Sequence, residues 1–309
     1  MSWWGVVMRL LQIRVAVVGL LFMTVPLACA ESPVRGTEEN AAPPQPAQSA
    51  VVSAKDFARS RFDDSTNVTN KWFPLKPGAQ YIYEGSAKDD GERIRRRVVF
   101  TVTDLTKVIA DVPTVVAWDR DYDDGDLIES ELAFFAQDTE GNVWHLGQYP
   151  EEYEDGKLDK APAWLEGVKG ARAGLAMKAE PRHGAPSYAQ GFAPAPLYWD
   201  DRARVYKMGQ RTCVPVDCYE NVLVMEEFER RKPGAFQLKY YAPGVGGVRI
   251  GWRGPKEEEK EELSLVDLVQ LSPEGLADVR QHVLELEKRA YRISRDVYGD
   301  TTPVEHAGE

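Results

Sequence analysis

Asp119, Asp121 and Asp123 stand at alternate positions, which on an extended strand sends all three carboxylates to one face. A hard cation such as calcium wants several carboxylate oxygens at close range. The EF-hand frame is not met, because with Asp119 as first ligand Gly125 falls at position seven instead of six, and Ser130 replaces the bidentate glutamate. Joined by His145 in one pocket, the same acids would suit a metal-assisted hydrolase. Of the four histidines, His282 belongs to the C-terminal helix and His306 to the tail, so only His145 and His183 stand where a site is plausible. Between Trp144 and Leu146 on a strand, His145 is first of all a hydrogen-bonded sheet residue. No G-x-S-x-G, H-E-x-x-H or P-loop occurs, and GVGGVRIG leads into a strand instead of opening a helix. These absences point away from catalysis.

The element that must position these groups is Thr114 to Tyr149, three antiparallel strands joined by an Asp-Gly and a Glu-Gly-Asn turn. Asp124-Gly125 suits a two-residue type I′ loop, which sets Tyr122 opposite Leu127, Arg120 opposite Glu129, Trp118 opposite Glu131, Ala117 opposite Leu132 and Val115 opposite Phe134. In that register Val115, Ala117, Leu132 and Phe134 face a core. Trp118, Arg120, Tyr122, Glu129 and Glu131 share the other, charged face. Rings among charges can line a cleft for a sugar, a lipid tail or a cation, so Trp118, Tyr122, Trp144 and His145 are the candidate ligand-binding residues.

The ends are of another kind. Arg9 and Arg14, the apolar run from Val15 to Val25 and Ala28-Cys29-Ala30 have the pattern of a signal peptide over residues 1–30. Leu27-Ala28-Cys29 also resembles a loose lipobox, so two fates stay open: plain secretion, or a lipoprotein anchored through lipidation of Cys29. Residues 31–52, rich in Pro, Ala, Gln and Glu, predict a disordered linker. The 49 acidic and 38 basic residues give a net charge of −11. Removing residues 1–30, which hold Arg9 and Arg14 and no acid, makes the balance more negative still. That excess argues against nucleic acid, and against anionic membrane surfaces other than through a lipid anchor. Cys213 and Cys218, in CVPVDC, are expected to form a disulfide in an exported chain, worth about 2 kcal/mol for so short a loop.

Along the chain, residues 53–271 alternate strand-forming segments with short turns, including strands at 80–84, 221–228, 236–241, 247–252 and 263–271. Residues 161–179 show no clean period, and 188–206, with its Ala-Pro steps, fits a loop or an irregular edge strand. Ser272, Pro273 and Glu274 open a helix whose Leu276, Val279, Val283, Leu286 and Ala290 form one stripe. It is expected over 272–299, packed on the sheet, with a flexible tail over 300–309. The fold class is therefore mainly β with a C-terminal α element: an antiparallel curved sheet or partial barrel and one amphipathic helix.

FPLKPGAQYIYEG, FFAQDTEGNVWHLG, KYYAPGVGGVRIGW and EKRAYRISRDVYG resemble stretches of exported, often lipid-anchored bacterial envelope proteins without a named function. The resemblance implies an envelope or periplasmic location and a half-barrel sheet, and it brings no catalytic residue. The function expected is a non-catalytic binding or structural role, holding an apolar or amphipathic ligand or an envelope protein on the curved sheet. The alternatives are the metal-assisted hydrolase and a calcium-stabilised surface module. No cofactor is called for beyond that calcium.

Overall fold

Short turns with left-handed residues, such as Asp124 (φ 51°) and Gly125 (φ 105°), fold each strand back on the one before it. The computed structural model describes Phe57, residues 61–89 and residues 91–307. The strands are β1 (Ala79–Asp89), β2 (Glu92–Ile109), β3 (Val112–Asp123), β4 (Asp126–Gln137), β5 (Val143–Glu154), β6 (Lys157–Lys160), β7 (Trp164–Leu165) and β8 (Arg172–Met177). They continue with β9 (Tyr188–Ala189), β10 (Gly191–Phe192), β11 (Asp201–Cys213), β12 (Cys218–Glu229), β13 (Phe236–Ala242), β14 (Gly246–Arg253), β15 (Glu262–Gln270) and β16 (Glu305–His306). All belong to one antiparallel sheet ordered β10-β8-β5-β4-β3-β2-β1-β15-β14-β13-β12-β11-β9. Because β9 and β10 are separated only by Gln190, the two ends of that path meet, and the sheet nearly closes into a barrel.

At the seam Ala189 pairs with Arg202 on β11, Gly191 pairs with Ala173 on β8, and the Gln190 amide donates to the Asp201 carbonyl at 2.8 Å. Gly174 makes the approach possible, since a Cβ there would lie 2.2 Å from the Gly191 nitrogen.

Closure buries one face of every long strand. Inside lie Tyr81, Tyr83, Val98, Phe100, Val115, Phe135, Met225, Tyr241 and Ile250, capped by Val68, Trp72, Phe73 and Leu75 from the segment before β1. Part of the outer face is buried as well, beneath the helix α1 (Pro273–Ile293), whose Val279, Val283, Leu286 and Ala290 pack on Leu105, Val116, Leu132 and Phe134. Ser272 Oγ caps the helix by accepting from the Gly275 amide at 3.2 Å. The fully buried Lys107 places its ammonium 2.8 Å from Glu287 and 2.7 Å from the Thr302 carbonyl, which ties β2 to α1 and to the segment after it.

Three expectations need correction. The β3–β4 register follows the turn only through Tyr122↔Leu127; a bulge then shifts it, setting Asp121 opposite Glu129, Asp119 opposite Glu131, Trp118 opposite Leu132 and Val115 opposite Phe135. Glu129 and Glu131 therefore turn inward beside Asp119 and Asp121, and Leu132 and Phe134 turn outward under the helix beside Trp118. Residues 161–179, which the sequence leaves unassigned, contain β7 and β8, and 188–206 holds the two-residue edge strands β9 and β10 and the start of β11. The helical segment is interrupted at Ser294 and resumes as α2 (Arg295–Tyr298). The tail is ordered where described, with β16 pairing Thr106 and Leu105 of β2 and with Val304 buried. The signal peptide, Cys29 and the linker lie outside the described residues.

Gly174→Val should destabilise the fold by about 3 kcal/mol, because a side chain cannot enter the seam without parting it. Urea unfolding checks this; an unchanged midpoint would mean that the two edges do not touch.

Candidate functional site

Toward the end of the barrel bearing the Asp124-Gly125 and Asp155-Gly156 turns, inward positions pass from apolar to charged. β3 contributes Asp119, Asp121 and Asp123, and β4 contributes Glu129 and Glu131. Glu152 on β5, Glu227 and Glu229 on β12 and Glu261 just before β15 also turn inward. Counter-charges come from two strands. Arg96 on β2 donates to both oxygens of Asp123, at 2.7 and 2.8 Å, and reaches Glu261 at 3.4 Å. Lys239 on β13 lies 2.8 Å from Glu227, whose other oxygen accepts from Gln190 at 2.8 Å. Gln237 donates to Glu261 at 2.8 Å.

Burial makes three of these carboxylates, Asp121, Glu129 and Glu152, hold their protons more firmly than free acids do. It pushes Asp121 up to about 6, and it raises Glu129 well above the usual range, with Asp121, Glu152 and Asp119 adding repulsion. Glu129 Oε1 has no hydrogen-bond partner among the described residues. Beside this cluster opens a cavity of about 280 Å³, lined by Glu227, Glu229, Glu257, Glu258, Glu259 and Glu261 together with Phe228 and Trp252. Arg231, Lys232 and Lys256 also reach it, so the lining carries both signs but more negative charge than positive. Such a cavity suits a positively charged group with an apolar part.

The structure separates the four candidate ligand-binding residues. Trp118 lies on the outer face, stacked on His282 at 5.6 Å, with its indole N–H on Ser130 Oγ at 2.9 Å and the Arg120 guanidinium 3.9 Å from its ring. Tyr122, also outward, is half-buried with Arg97 5.8 Å from its ring. Trp144 packs outward on Phe57 and Phe62 and donates to Asp138 at 2.8 Å. His145 alone turns inward, enclosed by Phe135, Trp164 and Trp199 at 5.0 to 5.8 Å. The expected aromatic cleft is thus not assembled, because the outward rings are occupied in packing against the helix and against Phe57 and Phe62.

Asp119, Asp121 and Asp123 do share a face, as their spacing implies, but Asp123 is taken by Arg96. Among the described residues no group of three or more His, Cys, Asp or Glu side chains is placed to hold a metal ion. Burial pushes His145 down to about 3, so near neutral pH it is uncharged and too weakly basic to take a proton from water. The disulfide joins Cys213 to Cys218 and closes the β11–β12 turn. Sequence reasoning missed Arg96, Glu227, Lys239, Glu261 and Trp252. The signal was a lone charge inside an otherwise strand-forming run, as in FQLKYYA and VLVMEEFE.

No helix among the described residues is long and apolar enough to cross a membrane. A raised acid is most stabilising below its unfolded value of 3.8, and that contribution is lost as pH climbs to about 6; Asp121→Asn should therefore add about 3 kcal/mol near pH 7 and little in acid. Chemical unfolding across that range is the check, and equal stability of the two proteins at all pH values would refute the inward placement. His145 acts in the opposite sense, costing stability as pH falls below 6.5 toward about 3. Its imidazole resonance should stay neutral from about pH 8 down to about 5.

No protein-family model matches the chain, and no curated protein sequence does. Two solved structures are similar to it. One is a Bacteroides fragilis protein described as exported and of YmcC-like fold, 14% identical, covering 65% of this chain and 99% of its own, with a TM-score of 0.34. The other is a Parabacteroides distasonis protein described as a lipoprotein, 11% identical, covering 64% and 97%, also with a TM-score of 0.34.

Proposed function

We propose that the protein is a non-catalytic binding component of the bacterial envelope, exported by way of residues 1–30, and that it receives the cationic head of an amphipathic ligand at the charged end of the barrel. The observation that carries this reading is the cavity of about 280 Å³ in which six glutamates surround Trp252 and Phe228. An alkylammonium group meets both of its needs there: carboxylates offset the charge, and rings accept the adjoining methylenes. The apolar half of the barrel is filled by its own side chains, Tyr83, Phe100, Phe135 and Tyr241 among them, so a long tail would lie along the rim and not along the axis. Enclosure of His145 and the Arg96–Asp123 pair both weigh against a hydrolytic use of the same acids.

A dodecylammonium salt should quench or shift Trp252 fluorescence, and dodecanoate should not. Glu257→Gln with Glu259→Gln should weaken the binding about tenfold, as loss of two attracting charges at a partly wet site implies. Equal affinity for the amine and the acid, or none for either, would overturn the proposal. The mature N-terminus, read by intact mass, should start after Ala30 or at an acylated Cys29; an uncleaved chain in the envelope fraction would refute export through this segment.

A further inference from the structure

Helix α1 covers only part of the outer wall. It lies on β2 and β4 and reaches β5 through Arg289 and Glu151, whereas no described helix packs on the outside of β11 to β14. There, cations are laid on rings. The Arg204 guanidinium stands 5.2 Å from the Phe228 ring, Arg253 4.5 Å from Phe236 and 4.7 Å from Tyr206, Arg249 5.4 Å from Tyr240, and Lys207 5.1 Å from Tyr206. One buried carboxylate, Glu226, lies between Arg204 and Arg253 and accepts from both. Arg211 is matched by Glu220 at 2.8 Å, and exposed Glu262 on β15 marks the border of the patch. Lys207 and Arg249 are exposed and have no carboxylate partner among the described residues. Next to Lys207, where the β11–β12 register shifts, Met208 is 41% exposed.

A charged edge strand would account for Arg204, Lys207 and Arg211, since β11 beyond Ala203 pairs only with β12. It does not account for Arg249 and Arg253, which sit on β14 between two neighbours. The geometry points to this wall as a docking face for an anionic lipid surface. In a chain of net charge −11 the local sign is reversed, and the repulsion felt by the rest of the molecule leaves this as the side that can approach such a surface. The rings are covered by guanidinium and ammonium groups, so they offer no open platform for stacking a sugar. What they present outward is a set of N–H donors, which match phosphate oxygens, with Met208 able to dip among the headgroups. The wall meets the cavity at the barrel end through Phe228, but Lys207, Met208 and Arg249 do not line that cavity.

The test uses the full chain carrying Cys29→Ser, which cannot be acylated, floated with vesicles of phosphatidylethanolamine alone or mixed with phosphatidylglycerol. Phosphatidylglycerol should increase the bound fraction, and added salt should reverse the increase. At about fivefold per cation, Lys207→Gln with Arg249→Gln should lower the partition coefficient roughly 25-fold on the anionic vesicles. Thermal unfolding of that variant should change little, because neither side chain holds a carboxylate and only exposed ring contacts are lost. Met208→Ser should weaken vesicle binding and leave any binding to polyglutamate untouched. Equal binding to both kinds of vesicle, or full binding by the double variant, would overturn the proposal. So would polyglutamate binding as strong as vesicle binding and indifferent to Met208, which would assign the wall to an acidic protein.

Discussion

A sheet that curls until its edges meet commits one face of every long strand to an interior from which water is largely removed, and each side chain sent there must be apolar, paired or neutral. At the capped end the requirement is met by rings and aliphatic groups around Phe73, Phe100 and Phe135. At the other end it is met by charge. Arg96 and Lys239 each hold carboxylates from neighbouring strands, and burial leaves Asp121 and Glu129 holding protons more firmly than free acids do. The candidate site is thus a consequence of closure: residues that would be a wet, charged surface on an open sheet become the lining of a chamber.

The outer wall sets a second problem, because Val116, Leu132, Phe134 and Leu146 also need cover. Helix α1 supplies it, and Lys107 with Glu287 and Arg289 with Glu151 fix its position. Glu287 also accepts from the Val304 amide at 3.0 Å, so the segment after α2 is held by the same carboxylate. An enclosed ion pair adds little net stability against an apolar pair of the same size, but losing one partner costs about 3 to 5 kcal/mol. Its effect here is to specify where the helix lies.

Much of this architecture is legible in the sequence where a local rule acts alone. Ser272, Pro273 and the apolar stripe announce the helix, CVPVDC closes a tight turn, and Asp124-Gly125 locates a hairpin. Legibility fails where two surfaces compete for one strand. Thr114 to Ala136 was expected to have one buried face and one wet face, yet both are enclosed, so the pattern of apolar residues cannot by itself choose a register; the bulge beside Tyr122 decides it, and no glycine or proline marks the place. The same ambiguity sent Trp118 to the wrong company. Trp252 and Lys239 were missed because their meeting with Glu227 and Glu261 depends on which face of β13 and β14 turns inward, and that is set by the registers across β12 to β15 and by no local rule. Residues 161–179 form strands because β5 offers them an edge, which composition does not reveal.

Followed in chain order, the strands go once around the barrel, and most pair with a neighbour near in sequence. The pairing of β1 with β15, Tyr81 against Leu268 among others, is the main exception, joining the two ends of the strand circuit, and the short β16 returns to β2 from farther still. The entropy lost in bringing such distant segments together grows only with the logarithm of their separation, but long-range pairing slows folding. While the chain is being made, β1 keeps its free side open until β15 is complete, and that row of unsatisfied amides and carbonyls is a template for a second nascent copy. Tyr83 and Glu84, central in the finished wall, are for that interval the most vulnerable edge of the molecule.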